Sequence, residues 1–123
     1  MDRYAFKPCG SPPAPGELAG AERRIAFRVE EGPDSTVLCF ELEGPISPGD
    51  LRAIRPPRVD PKKGVILSGR GPIWLYAFLA HHYHPTRWIA IFDPRLGAVV
   101  VESHDPGKRV GDVIGMGARD PGG

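Results

Sequence analysis

Residues 64–80 read GVILSGRGPIWLYAFLA, and this stretch decides the fold. The apolar run over 64–67, which begins at a glycine, predicts a short buried strand. Turn chemistry follows over 68–72, and residues 73–80 are apolar on every side, which predicts a helix buried all round. Pro85 ends that helix. The segment is therefore a strand, a tight turn and a crossover helix.

Further strand patterns flank this unit on both sides. On the N-terminal side the sequence predicts strands over 25–29 and 36–42, a turn between them, and a short helix that begins at Ser47 and ends before Pro56. On the C-terminal side it predicts strands over 88–92 and 98–102, the turn 93–97 between them, and a short edge strand within 110–114. The order β-β-α-β-α-β-β predicts a small α/β (α+β) domain with one mixed sheet, in which helical crossovers join parallel strands and hairpins flank them.

Composition separates a folded centre from its ends. Glycine and proline contribute 16 and 15 of the 123 residues, and they concentrate near both termini. We predict a disordered leader over 1–20, a folded domain over 21–116 and a flexible tail over 117–123. The 16 basic residues nearly balance the 15 acidic ones, which excludes a strongly basic coat for nucleic acid. Without a signal peptide or an apolar run long enough to cross a bilayer, a cytoplasmic location is expected.

The turn Ser68-Gly69-Arg70-Gly71 is the first candidate site. Glycines allow backbone N–H groups to approach a phosphate, a helix begins just beyond, and Arg70 can form a fork onto phosphate oxygens. The turn lacks the residues of a P-loop, so a plain strand-to-helix turn is the alternative. Local charge favours the anion site, because residues 52–70 carry a basic excess with Asp60 as their single acid: Arg52, Arg55, Arg58, Lys62, Lys63 and Arg70.

The histidines are the second candidate. All four lie within a short stretch of the chain: His81, His82, His84 and His104. His81 and His84 are three residues apart and share a helix face. Surface or helix-capping roles are the alternative for each one alone. As a cluster near Asp93, Arg95 and Glu102, they suit proton transfer, phosphate binding or a divalent ion.

The hairpin turn after residue 92 is the third candidate. Asp, Pro and Gly are ordinary turn residues, and a plain turn is the alternative. Asp93 and Arg95 at its tip are nevertheless expected at the same sheet edge as Arg70, the carboxyl edge, where ligands gather and where we expect the polar residues to collect. Four aromatic residues are predicted to be core rather than base-stacking platforms: Trp74, Phe78, Trp88 and Phe92.

Residues 62–104 resemble one family of CRISPR-associated ring nucleases, accessory proteins of type III CRISPR systems that bind and degrade cyclic tetra-adenylate. The resemblance rests on SGRGPIWL, H-P-T and FDPRLGAVV…SH, in the same order and with matching spacing. With a looser fit over 25–55, it covers about three quarters of the chain. Tyr76 departs from the pattern, because some members carry a more polar residue there.

The resemblance implies specific roles. Ser68 and Arg70 match residues that hold the ring, with Gly69 and Gly71 in the same ligand-binding turn. Four positions match residues implicated in cleavage or in positioning the phosphate: His84, Asp93, Arg95 and His104. The family implies manganese-dependent cleavage, for which Asp93 and His104 are the expected metal ligands, with the orientation of a histidine as the alternative role of Asp93. It also implies a homodimer, with pairs of dimers stacking around the ring.

Two other functions stay open at this point. A non-catalytic sensor of cyclic oligoadenylate needs Ser68, Arg70 and the dimer, but neither His84 nor Asp93. A manganese-dependent exonuclease that removes adenylates from RNA 3′ ends is the other alternative, since activity on short adenylate tails is implied by the same family.

Overall fold

A mixed six-stranded sheet is the framework of residues 24–115, which are the residues that the computed structural model describes. Its strands are β1 Ile25–Glu31, β2 Ser35–Leu42, β3 Gly64–Gly69, β4 Trp88–Asp93, β5 Gly97–Ser103 and β6 Val113–Ile114. The predicted leader over 1–20 and tail over 117–123 lie outside the described residues. Within the described range, no helix has the length and hydropathy to cross a membrane.

The strands lie side by side in sequence order. The central pairs β2–β3 and β3–β4 are parallel, whereas β1–β2, β4–β5 and β5–β6 are antiparallel. This arrangement confirms the predicted mixed sheet, including the parallel centre, the flanking hairpins and the short edge strand. Parallel neighbours need a crossover between them, and both crossovers fall where the sequence places them.

The first crossover contains a 3-10 helix, Pro48–Arg52, instead of the expected α-helix. Its start is as predicted, because the Asp50 carboxylate accepts a hydrogen bond of 2.9 Å from the Ser47 backbone N–H. None of its residues is fully buried. A segment this short, with prolines soon after it, gains too few hydrogen bonds and contacts to propagate an α-helix.

The second crossover is the helix α1, Ile73–His82. The prediction that it is buried all round is wrong: its fully buried residues are Leu75 and Leu79, and Ile73 is 83% exposed. One face of α1 packs on the sheet, and the sequence could not indicate which face because every face is apolar.

The two faces of the sheet carry separate hydrophobic clusters. Leu67 and Ile89 pack with Leu75 and Leu79 of α1, whereas Ile66 belongs to a second cluster on the opposite face. The second cluster also contains Trp88, Ala90, Ala98 and Val100. Central parallel strands are covered on both faces, which explains why they read as continuous apolar runs.

Trp88 confirms the core prediction, since it is 3% exposed. Trp74, Phe78 and Phe92 are only partly buried and pack at the margins of the two clusters. The indole of Trp88 lies directly against Gly64, where a Cβ would come within 1.9 Å of its Cε2 atom. Glycine at position 64 is therefore what allows β4 to begin with a buried tryptophan.

Candidate functional site

The direction of the parallel strands defines two ends of the sheet. We call the end where β2, β3 and β4 finish the carboxyl edge, and the end where they begin the amino edge. Along β4, Trp88 and Asp93 are separated by about 16 Å, at about 3.3 Å per residue. Every predicted site residue lies at or next to one of these two edges.

The segment 68–71 lies at the carboxyl edge, where the last two residues of β3, Ser68 and Gly69, lead into the turn before α1. Gly69 pairs with Phe40 of β2, and a Cβ on Gly69 would come within 2.3 Å of the Phe40 carbonyl oxygen. Ser68 is 2% exposed. In this conformation the turn therefore offers its backbone and the exposed Arg70 to a ligand, rather than the Ser68 hydroxyl.

Tyr76 fixes this turn from the helix. Its hydroxyl accepts a hydrogen bond of 3.1 Å from the Gly69 N–H and donates one to the Gly69 carbonyl. Gly69 lies beyond Leu67, where the ladder between β3 and β4 ends, so the tyrosine satisfies backbone groups that β4 does not reach. Its ring contacts Phe40 edge to face, with centroids 5.0 Å apart.

Burial raises the pKa of Tyr76 and keeps the hydroxyl protonated, although its hydrogen bond from Gly69 acts in the opposite direction. Sequence reasoning noted Tyr76 only as a departure from the family pattern and missed this role. The available signal was its position: one turn into a helix that follows a glycine-rich turn.

Asp93 and Arg95 lie in the hairpin turn at the same edge, as predicted. The Asp93 carboxylate accepts a hydrogen bond of 2.8 Å from the Arg95 backbone N–H. The Arg95 guanidinium is 3.8 Å from that carboxylate and its side chain is 80% exposed. Gly97 closes the turn with a φ of +113°, a conformation that favours glycine. The geometry thus fixes Asp93 and leaves Arg95 able to reach a ligand.

The histidines lie at the amino edge, so their expected proximity to Asp93 and Arg95 is wrong. The rings of His81 and His84 stack with centroids 5.6 Å apart. His104 follows β5, and its Nε2 is 3.2 Å from the His84 carbonyl oxygen and 3.5 Å from the Glu102 carboxylate. Because α1 starts at the carboxyl edge and runs back along the sheet, its C-terminal histidines must reach the opposite end.

The basic excess over 52–70 does not form one patch. Arg70 lies at the carboxyl edge, whereas Lys62 and Lys63 precede β3 at the amino edge. Lys63 has a structural role: its ammonium is 2.8 Å from the Glu31 carboxylate and 2.8 Å from the Gly32 carbonyl. The hydrogen bond to Glu31 raises the pKa of Lys63.

One chain does not assemble the expected manganese site. Asp93 and His104 lie at opposite edges of the sheet, and residues 24–115 contain no group of three or more His, Cys, Asp or Glu side chains that could hold a metal ion. A metal bound through both residues needs ligands from two copies of the chain.

The geometry defines a class of protein. It is a small α+β domain with cationic turns at one edge of the sheet and histidines at the other. The sequence profile of the family described as "CRISPR-associated protein (Cas_csx3)" matches residues 39–115. The chain belongs to this family of CRISPR-associated proteins. It is also similar to an uncharacterized protein of Aquifex aeolicus (strain VF5), with 57% identity over 86 residues, which cover 66% of this chain and 78% of that protein.

Proposed function

We propose that this protein is a ring nuclease that binds cyclic tetra-adenylate and cleaves its phosphodiester bonds, which ends signalling in a type III CRISPR system. Two things support the proposal: membership of a CRISPR-associated family, and the presence of exposed arginines at one edge and histidines at the other, which are residue types that phosphodiester cleavage uses. The second observation carries the mechanism, because it determines how copies of the chain must combine.

The carboxyl edge is the proposed ring-binding surface. Arg70 and Arg95 are exposed there, beside the backbone of the 68–71 turn. Arginine forms strong charge-assisted hydrogen bonds with phosphate oxygens. A two-fold dimer doubles the pair to four arginines, which matches the four phosphodiesters and the symmetry of the ring.

The amino edge supplies the proposed proton-transfer groups. Histidine changes its charge near neutral pH and is a common general acid or base. In one chain, however, His84 and His104 lie about a strand length from Arg70 and Arg95. The geometry therefore favours copies that stack head to tail, so that the amino edge of one dimer covers a ring bound on the carboxyl edge of the next.

The proton and charge balance of the cleavage uses both edges. A ribose 2′-hydroxyl or a water attacks phosphorus, and a histidine takes the proton that the nucleophile loses. The bond from phosphorus to the leaving oxygen breaks, and a second histidine donates a proton to that oxygen. Arg95 stabilises the negative charge that develops on the phosphoryl oxygens, while Asp93 holds the turn that presents Arg95.

Manganese remains a proposal that needs two copies, since one chain does not gather its ligands. The proton transfers and the stabilisation by Arg95 do not require it. When bound, a divalent metal would stabilise phosphoryl charge or activate a water.

Incubation of the full-length protein with radiolabelled cyclic tetra-adenylate, with and without manganese, tests the function. Linear products of defined length are expected, and a 2′,3′-cyclic phosphate end identifies the ribose hydroxyl as nucleophile. Binding without any product would instead indicate the sensor. A single observation favours that alternative: one chain forms the carboxyl edge completely but places no histidine beside it. An RNA with a 3′ adenylate tail, in a parallel reaction, tests the exonuclease.

A further inference from the structure

A cavity of about 320 Å³ opens at the amino edge, and none of the groups of the proposed cleavage lines it. Five charged side chains line it around Trp88: Asp34, Lys62, Arg87, Asp105 and Lys108. They come from separate segments, namely the β1–β2 turn, the residues before β3, the start of β4 and the loop after β5. Three cations thus converge with two carboxylates in one opening.

Asp105 is the anchor of this cavity. One of its carboxylate oxygens accepts a hydrogen bond of 2.9 Å from Arg87 Nε, and the other accepts one of 2.8 Å from the Gly107 N–H. Its bond with Arg87 is the main reason that the pKa of Asp105 is lowered. The carboxylate is therefore committed to the loop and to Arg87.

Arg87 is oriented by that bond. Because Asp105 engages Nε, the end face of the guanidinium, which the two terminal nitrogens share, remains available as a fork. The Arg87 side chain is 51% exposed, so the fork is accessible. An arginine held through Nε and open at its terminal nitrogens is well suited to an oxyanion with several oxygens.

The two lysines and Trp88 complete the wall. Lys108 Nζ lies 5.6 Å from the centroid of the Trp88 ring, a cation–π contact that holds this ammonium beside the cavity. The indole packs directly against the backbone of Gly64, and this close contact makes Trp88 a rigid wall of the cavity. Lys62 is exposed on the rim of the cavity. Asp34 is also exposed on this rim and carries the opposite charge.

We propose that this cavity is a phosphate-binding site that holds the terminal phosphate of a short linear oligonucleotide. The identity of that ligand rests on the proposed function, since cleavage of a cyclic oligonucleotide produces such an end. The cavity also adjoins the histidines, because the Arg87 carbonyl accepts a hydrogen bond of 2.9 Å from the His104 N–H. A linear product can therefore be held beside the groups that made it.

The test compares linear tetra-adenylate carrying a 3′-phosphate with the same oligomer lacking it, at fixed ionic strength. Wild-type protein should bind the phosphorylated oligomer roughly tenfold more tightly. Lys62→Gln and Lys108→Gln should each remove most of that preference. Asp34→Asn should increase it about threefold, because it removes the repelling carboxylate. Arg58→Gln, an equal loss of charge outside the cavity, should leave it unchanged.

A second measurement uses inorganic phosphate as the probe. Its titration should shift the Trp88 indole N–H resonance, and sodium chloride of equal ionic strength should not. Equal affinity for both oligomers, or a preference that survives both lysine substitutions, would overturn the proposal. Failure of the ring-nuclease function is separate: a protein that ignores cyclic tetra-adenylate but prefers the phosphorylated oligomer keeps this site and loses that function.

Discussion

The two edges of the sheet are built in different ways. At the carboxyl edge, backbone turns place the functional groups: Gly69 is held by Tyr76, and Arg95 by the turn that Asp93 caps. At the amino edge, side chains from distant segments meet, as His104 does with His84 and Arg87 with Asp105. The carboxyl edge suits ligand binding by a fixed surface, whereas the amino edge collects ion pairs and histidines, which are able to transfer protons. Neither edge alone contains the full set of groups that the proposed cleavage needs.

The largest expected effect separates binding from turnover. His84→Ala should lower cleavage of cyclic tetra-adenylate by about a hundredfold or more, with binding within twofold, because general acid–base catalysis contributes about this much. Arg70→Ala should instead weaken binding by roughly tenfold or more, through lost charge-assisted hydrogen bonds. Single-turnover rates and equilibrium binding separate the two. His82→Ala is the matched control, and a loss of cleavage as large as that of His84→Ala would contradict the assignment.

The packing of Trp88 against Gly64 supports the amino edge and can be tested by substitution. Gly64→Ala should lower the free energy of unfolding by about 3 kcal/mol, since the new methyl group has no space beside the Trp88 indole. Gly44→Ala is the control, because nothing lies within 4 Å of a Cβ at that position. Urea denaturation followed by far-UV circular dichroism measures both variants. Equal stability of Gly64→Ala and Gly44→Ala would show that Trp88 moves easily. The contact between Gly64 and Trp88 would then not make the amino edge rigid.

Two tyrosine hydroxyls, of Tyr76 in α1 and of Tyr83 just after it, allow a comparison of the two edges. Tyr76→Phe removes the hydroxyl that holds Gly69, whereas Tyr83→Phe removes the hydroxyl that donates to the Pro57 carbonyl near the helix end. Each should cost about 1–2 kcal/mol of folding free energy. Only Tyr76→Phe should also weaken ring binding, because only that hydroxyl holds the turn proposed to bind the ring. A similar loss of ring affinity in both variants would reduce Tyr76 to a general stabilising residue.

The smallest effect concerns pH. The folded-state pKa of Asp105 is lowered by Arg87, so its stabilising contribution is present above the unfolded-state value of 3.8 and is lost as the pH falls through the folded-state value. The thermal midpoint of wild-type protein should therefore fall more between pH 6 and pH 3 than that of Asp105→Asn. Parallel slopes would contradict the role of this ion pair. The affinity of the carboxyl edge for the ring should not change in Asp105→Asn.

The sequence allowed most of the fold to be predicted for a physical reason. Strand runs such as 64–67 and 88–92 are apolar on both faces, and glycine and proline mark their ends, so order and direction could be inferred. Because parallel strands end at the same edge of a sheet, Arg70, Asp93 and Arg95 could also be predicted to lie at one edge. The face of α1 that packs could not be inferred, because a helix without a polar side has no preferred orientation in its sequence.

The errors at the site came from treating neighbours in sequence as neighbours in space. His84 is nine residues from Asp93 in the sequence, yet β4 separates them by nearly its full length. The direction of α1 already implies this separation. The roles of Tyr76 and Arg87 depend on contacts across the fold that no local pattern contains, namely a hydroxyl reaching Gly69 and a guanidinium reaching Asp105.

The central claim is that arginines of one copy and histidines of another act on the same ring. The most direct test mixes two impaired variants, Arg70→Ala, which binds the ring weakly, and His84→Ala, which cleaves it slowly, and measures cleavage of cyclic tetra-adenylate at increasing protein concentration. Head-to-tail stacking predicts that the mixture cleaves the ring faster than either variant alone at the same total concentration, and that the ring increases the sedimenting mass of His84→Ala beyond that of a dimer. A mixture that stays inactive, together with wild-type cleavage that is independent of concentration and a mass that the ring does not change, would contradict the shared site.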